Sequence, residues 1–220
     1  MLKGILWDND GVLVNTEHLF YEANCRLLGE YGVGLSPQEY FDWFLQDDRG
    51  PWHRLAGFGV GEAQIPALRA RRNRLYAQLL EEQADSLAIP GMEDLLARLQ
   101  GRVSMGVVTS AYRTHFDQVH ARLSYAERLG FVFSAEDCQR SKPDPELYLK
   151  GLAHLGLPTE ACVAVEDSPR GLAAARAAGL RCILVRHPLT AGGDFRHAYA
   201  VVDSVAELEA LLDALIGDRA

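Results

Sequence analysis

At 220 residues and 24.3 kDa, with 48% hydrophobic and 24% charged residues and a mean hydropathy near zero, the chain can bury a substantial core, and its composition argues against disorder and against membrane spans. A net charge of -8 argues against non-specific nucleic-acid binding, which rests on Lys and Arg neutralising phosphates, while a small anionic ligand needs only a local positive site. Cys25, Cys138, Cys162 and Cys182 show no C-x-x-C spacing, so reduced buried thiols are expected rather than zinc or disulfides.

The N-terminal Met1-Leu2-Lys3-Gly4 leads straight into an apolar strand with no signal peptide and no apolar stretch of 18 or more residues, so the cytoplasm is the expected location. The strand, Gly4 to Trp7, opens into Asp8-Asn9-Asp10-Gly11. Residues i and i+2 of a strand point the same way, so the two carboxylates can converge beyond the strand end. Converging acids repel unless a divalent cation or a shared proton relieves them. Gly11 permits a tight turn whose exposed amides can cradle an anion, although acidic turns ending in Gly are also ordinary surface features.

From about Thr16 to Ala88 the chain has no convincing strand. It carries amphipathic helices, one expected over about Glu17 to Tyr31 and another over about Glu62 to Glu82. The Arg69 to Arg74 cluster reads as a solvated helix face. The irregular polar stretch Asp47-Asp48-Arg49-Gly50-Pro51-Trp52-His53 lies between helices and makes Arg49, Trp52, His53 and Arg54, with His18, candidate ligand contacts, or else it is a structural loop with Trp52 packed inward. Pro90-Gly91 marks a turn, and Met92 to Leu99 forms the next helix.

Further apolar runs follow at Val103 to Val108, Phe131 to Phe133, Cys162 to Val165 and Cys182 to Val185, separated by helical stretches. Unbroken apolar strands alternating with helices predict an α/β fold, a Rossmann-like parallel sheet flanked by helices, with ligands at the carboxyl ends of the strands. Three polar clusters fall at that edge: Asp8, Thr109 with Ser110, and Glu166 with Asp167. Arg113 follows the second as either an anion contact or a surface arginine.

Taken in order, Asp8-Asn9-Asp10-Gly11-Val12-Leu13-Val14, Thr109-Ser110, Ser141-Lys142-Pro143-Asp144-Pro145 and Val165-Glu166-Asp167-Ser168 resemble the four motifs of the haloacid dehalogenase superfamily, over essentially the whole chain. The resemblance implies a catalytic core of residues 1–15 and 89–220, with residues 16–88 as an inserted all-α cap that closes as a lid. It implies a phosphatase in which Asp8 is the nucleophile, forming an aspartyl phosphate, and Asp10 the general acid and base. Glu166 and Asp167, with Asp8 and the Asp10 backbone carbonyl, would hold Mg2+; Glu166 has the alternative role of positioning Lys142. Lys142 would add a point charge between phosphate and nucleophile, or it is only a turn lysine before Pro143. Thr109, Ser110 and the Gly11 loop would bind phosphoryl oxygens, unless the two hydroxyls merely cap the next helix. Arg49 and Arg113 are further substrate-binding candidates.

The second Asp, Asp10, separates the chain from metal-free relatives that cleave carbon-halogen bonds and lack it. Asn15 stands where many relatives carry Asp. The expected substrate is a small phosphorylated metabolite of the sugar phosphate or phosphoglycolate type, handled by a monomer or weak homodimer. A beta-phosphoglucomutase-like activity is the alternative, but Phe20 stands near where those mutases carry a cap histidine, and their Gly-x-Ser-Arg segment is missing. A non-catalytic binding module on the same fold is disfavoured because Asp8, Asp10, Lys142 and Asp167 are all present.

Overall fold

The computed structural model describes residues 1–123 and 125–217; the last three residues of the expected core lie outside it. The apolar runs form β1 (Gly4–Trp7), β2 (Ser104–Val108), β3 (Val132–Phe133), β4 (Cys162–Glu166) and β5 (Arg181–Val185). A sixth strand, β6 (Ala200–Val202), was not anticipated: three residues at the sheet edge give too short an apolar run to read. All six pair in parallel in the order β3-β2-β1-β4-β5-β6.

Both faces of the sheet are covered, which is why its strands read as unbroken apolar runs. Ile5, Trp7, Met105, Val107, Val163, Val165 and Ile183 point into one core. That core is closed by α4 (Met92–Leu99), α5 (Arg113–His120) and α8 (Val205–Ile216). Leu6, Val108, Cys162, Ala164, Cys182 and Leu184 point the other way, onto α6 (Glu146–Leu155) and α7 (Pro169–Ala177). Gly151 on α6 lies against Leu6 and Val108, where a Cβ would press on their methyls. The strand order reverses between β1 and β4, which puts the crevice of the open sheet beyond the end of β1.

Between β1 and β2 the described elements are helical: α1 (Glu17–Gly29), α2 (Pro37–Tyr40) running into a π-helical turn over Phe41–Gln46, 3-10 turns at Trp52–Phe58 and Glu62–Gln64, and α3 (Ile65–Glu82). Ser36 and Glu39 cap α2 reciprocally, and Pro66 sits in the first turn of α3, where its missing N–H costs nothing. This segment has its own core around Leu27, Leu28, Tyr40, Phe44 and Leu55. On that ground we assign residues 16–88 to a cap and the remainder to a catalytic core. The two crossings run side by side: Asn15 N–H donates to Leu87 O at 2.8 Å, and Val14 bridges to Ala88.

Candidate active site

Asp8 leaves β1 still paired to β4, its N–H donating to Val165 O at 2.9 Å. The chain then folds back on itself: the Asn9 carbonyl accepts from the amides of Val12, Leu13 and Val14 at 3.2, 2.8 and 3.1 Å. Gly11 takes φ +77°, and a Cβ there would strike the Asp167 carboxylate. Its N–H donates to Val14 O at 2.8 Å, so the expectation that the Gly11 amide holds substrate is corrected: that donor closes the turn, and the missing side chain makes room for Asp167.

Lys142, 134 residues from Asp8 in sequence, is 1% exposed and donates to Asp8 Oδ1 at 2.9 Å, Glu166 Oε1 at 2.6 Å and Val108 O at 2.8 Å. Burial alone would lower its pKa, but the Asp8 and Glu166 carboxylates prevail and raise it, so the ammonium is held charged. Glu166 is fully buried and also accepts from Tyr148 Oη at 2.6 Å. Burial and the Asp8 charge push its pKa up against the pull of Lys142. Gly171 on α7 leaves the space this carboxylate occupies. Glu166 is thus in direct contact with Lys142 as well as within the carboxylate cluster.

Asp8, Glu166 and Asp167 bring one oxygen each within 4.8 Å of one another. Asp167 Oδ2 is buried with no hydrogen-bond partner, and burial together with the Glu17, Asp8 and Glu166 charges drives the Asp167 pKa well up. A cluster of hard oxygen donors with one of them orphaned fits a divalent cation such as magnesium, which would supply the missing positive charge.

Asp10 faces the cap. Its Oδ1 accepts from Thr16 Oγ1 at 2.5 Å and from Tyr76 Oη on α3 at 3.0 Å; its Oδ2 has only a long contact, 3.3 Å, from Asn9 Nδ2. Asn9 is buried and its Oδ1 meets His120 Nε2 at 2.8 Å. Burial pulls His120 down to about 4, so a neutral ring donates from Nε2. Glu17, buried beside Asp10 and hydrogen-bonded by Tyr40 Oη, is pushed up to about 7, first by burial and then by the Asp10 and Asp8 charges against Tyr40 and Arg170.

Asp8, Asp10, Glu17, Tyr76, Lys142 and Asp167 line one cavity of about 200 Å3 between the sheet edge and the helical segment. Pockets that take drug-sized ligands begin near roughly 300 Å3, so the occupant is small. Thr109 and Ser110 line it. Thr109 Oγ1 accepts from Ala111 N–H at 3.0 Å, and Ser110 Oγ accepts from Ser141 Oγ at 3.0 Å, which ties the second motif to the lysine loop. Neither caps α5, whose N-cap is Tyr112.

Apart from Lys142, the basic residues of the cavity are not those singled out from sequence. Arg49 is exposed beside Asp47, and Arg113 is paired with Asp117 at 2.9 Å; neither lines the cavity. Arg54 pairs with Glu39, His53 packs edge-on against Trp43, and His18 lies near His187. Of the cap candidates only Trp52 lines the cavity, and it is also packed inward, at 8% exposed. Arg69, Arg72 and Arg170 take the places expected of Arg49 and Arg113. The solvated-face reading of Arg69 to Arg74 is corrected, because Arg72 is buried and Arg69 turns with it toward the cavity. Glu17, Tyr40, Tyr76 and His115 also line it, and in sequence only Glu17, directly after Thr16 at the end of the first motif, carried a positional signal.

Fold and site together define an α/β enzyme with a helical segment inserted after β1 and a cluster of buried carboxylates at the end of that strand. The chain belongs to the haloacid dehalogenase-like hydrolases, whose family profile matches residues 5–185. It is 30% identical to Protein CbbY of Rhodobacter capsulatus over 90% of this chain and 91% of that one. It is 33% identical to the validoxylamine A 7'-phosphate phosphatase of Streptomyces hygroscopicus subsp. limoneus, over 83% of this chain and 85% of that one. The structure of a CbbY mutant from Rhodobacter sphaeroides in complex with xylulose 1,5-bisphosphate superposes with a TM-score of 0.79 at 26% identity, covering 94% of this chain and 96% of that one. No helix among the described residues is long and apolar enough to cross a membrane.

Proposed function

We propose that the chain is a magnesium-dependent phosphatase that hydrolyses the monoester of a small phosphorylated metabolite, of the sugar phosphate or phosphoglycolate type, through an aspartyl phosphate on Asp8. The observation that carries the reading is Lys142 bridging Asp8 and Glu166 beside the orphaned oxygen of Asp167. The phosphatase relatives support the reaction class.

Asp8, Glu166 and Asp167 would hold the magnesium ion, which supplies positive charge against the phosphate dianion when bound. Lys142 fixes Asp8 through Oδ1 and leaves the other oxygen to attack phosphorus. Asp10 Oδ1 is engaged by Thr16 and Tyr76, which leaves the weakly contacted Oδ2 as the oxygen that would deliver the proton of a general acid. From there it passes to the leaving alkoxide as the P–O bond breaks. Asp10 then takes a proton from the water that attacks the aspartyl phosphate, restoring Asp8 and releasing phosphate. The Thr109 and Ser110 hydroxyls line the space the phosphoryl oxygens would fill. Tyr40, Phe44 and Trp52 of the cap cover the cavity and exclude competing water.

The test is phosphate release from sugar phosphates, phosphoglycolate, nucleotides and an aryl phosphate, with and without magnesium, for wild type and Asp8→Asn. Magnesium-dependent release abolished in Asp8→Asn is expected; release that survives the substitution would overturn the mechanism. Conversion of glucose 1-phosphate to glucose 6-phosphate in the presence of a bisphosphate activator would instead make the enzyme a mutase.

A further inference from the structure

Asp10 is held from outside the stretch of chain that carries it. Tyr76 on α3, 66 residues away and 3% exposed, donates its phenol to Asp10 Oδ1 at 3.0 Å, beside the Thr16 hydroxyl at 2.5 Å. The Tyr76 ring stands edge to face between two others, Phe20 at 5.3 Å and His115 at 5.0 Å, with interplanar angles of 88° and 90°. His115 belongs to α5, the helix that follows Thr109 and Ser110. The same region grips α3 at two further points: Gln118 Nε2 donates to Ala77 O at 2.8 Å, and Arg122, just beyond α5, pairs with Glu81 at 2.7 Å. Residues 115, 118 and 122 follow the i, i+3, i+7 spacing of one helix face, so α5 lies along α3 where Tyr76 leaves it. A side chain locked by packing aims its hydrogen bond, and this phenol is locked on both faces.

A carboxylic acid delivers its proton from one oxygen, in one direction. Two hydroxyl donors on Oδ1 leave Oδ2 as the delivering oxygen, and turning the carboxyl over would cost both contacts. Thr16 is only six residues from Asp10, on the same passage out of β1. Tyr76 comes from a separate element and fixes the carboxyl relative to the rest of the cavity. The alignment matters only where a proton is needed. As an Asp8 oxygen bonds to phosphorus and the P–O bond to the leaving group breaks, the electron pair stays on the leaving oxygen. An alkoxide must take the Asp10 proton at that moment, whereas a carboxylate leaves without one.

We infer that Tyr76 is a positioning residue that aligns Asp10 for proton delivery, so that turnover of esters with poor leaving groups depends on this one phenol of α3. This rests on the phosphatase reading and adds to it a residue that acts through Asp10. Phe20 and His115 serve as the supports of its ring.

The experiment compares kcat/KM, which reports the steps up to departure of the leaving group, for acetyl phosphate and for the best sugar phosphate of the panel, in wild type and Tyr76→Phe. The variant keeps the ring between Phe20 and His115 and removes only the hydroxyl. The sugar phosphate value should fall about ten- to a hundredfold, the scale of a lost charge-assisted contact, while acetyl phosphate changes by less than about threefold. An equal loss on both substrates would make Tyr76 a structural or substrate-contacting residue, and no loss on either would show that Asp10 aligns without it; both results overturn the inference. If wild type releases phosphate from no substrate, the phosphatase reading fails by itself. Urea denaturation in metal-free buffer of the double-mutant cycle of Tyr76→Phe with Asp10→Ala then decides the alignment: a coupling of at least about fivefold in the unfolding constant supports it, and additive effects reject it.

Discussion

Arg170 Nη1 donates to Asp48 Oδ1 at 2.7 Å, joining the start of α7 in the core to the cap loop that precedes Gly50. Asp48 holds this position with φ 52°, a left-handed backbone that non-glycine residues adopt at a cost and Asn tolerates best. Asp48→Asn should therefore keep the loop and weaken only the ion pair. The Asp48 side chain is 42% exposed, so screening limits the loss to about 1 kcal/mol or less. The expected result is a fall of a few-fold in kcat/KM that shrinks when wild type and variant are compared at high salt. Salt independence would show that the pair does not hold the cap closed.

Asp167→Asn should separate metal binding from stability. In metal-free buffer it removes a buried carboxylate with an unpartnered oxygen, so chemical denaturation should show a gain of about 1–3 kcal/mol. In activity assays the magnesium concentration for half-maximal rate should rise at least about tenfold. Lower stability without metal would mean that Asp167 is a structural acid.

Glu17 supplies a pH test. Its folded pKa, about 7, lies above its ordinary value of 4.5. Between those limits the folded chain binds the extra proton, so the ionisation penalty is fully present above about pH 7 and vanishes below about pH 4.5. Glu17→Gln, measured without metal, should be more stable than wild type at pH 8 by on the order of 3 kcal/mol, with the gap closing by pH 4.5. A gap independent of pH would place the effect in packing.

Asn9 and His120 make a buried pair beneath Asp10. His120→Phe strands Asn9 Oδ1 and should cost about 1–3 kcal/mol, whereas Asn9→Leu combined with His120→Phe should recover most of the loss, because two apolar groups need no partner. Urea denaturation of the four proteins in the cycle measures this. Strict additivity would show that the contact contributes nothing.

Gly171→Ala would drive a methyl into the Glu166 carboxylate. The displaced carboxylate would release Lys142, and kcat should fall at least about a hundredfold with KM changed far less. Near-normal kcat would mean that Lys142 is positioned by Asp8 and Val108 alone.

The acidic motif, the sheet and its catalytic edge were legible because strand alternation and strand-end geometry are local. The lysine loop was legible through its motif, and the hydrogen bond from Tyr148 to Glu166 was not, because nothing in an α6 tyrosine marks it as facing a strand-end acid. Arg72 was misread for a similar reason. A run of arginines looks solvated until the packing of Phe20 and Tyr76, edge to face at 5.3 Å, turns one stripe of α3 inward. The amide of Gly11 was assigned to substrate because a sequence marks a turn without recording which carbonyl it closes on.

The two crossings into residues 16–88 lie side by side, tied by Asn15 and Leu87. Everything that enters that segment leaves it through the same doorway, while Asp8, Asp10, Glu166, Asp167 and Lys142 remain outside. The molecule is thus modular at one seam. On the proposed division, a different helical insert grafted there, or one helix such as α3 redecorated, would give the sheet domain a new client without any change to the carboxylates and lysine at its edge.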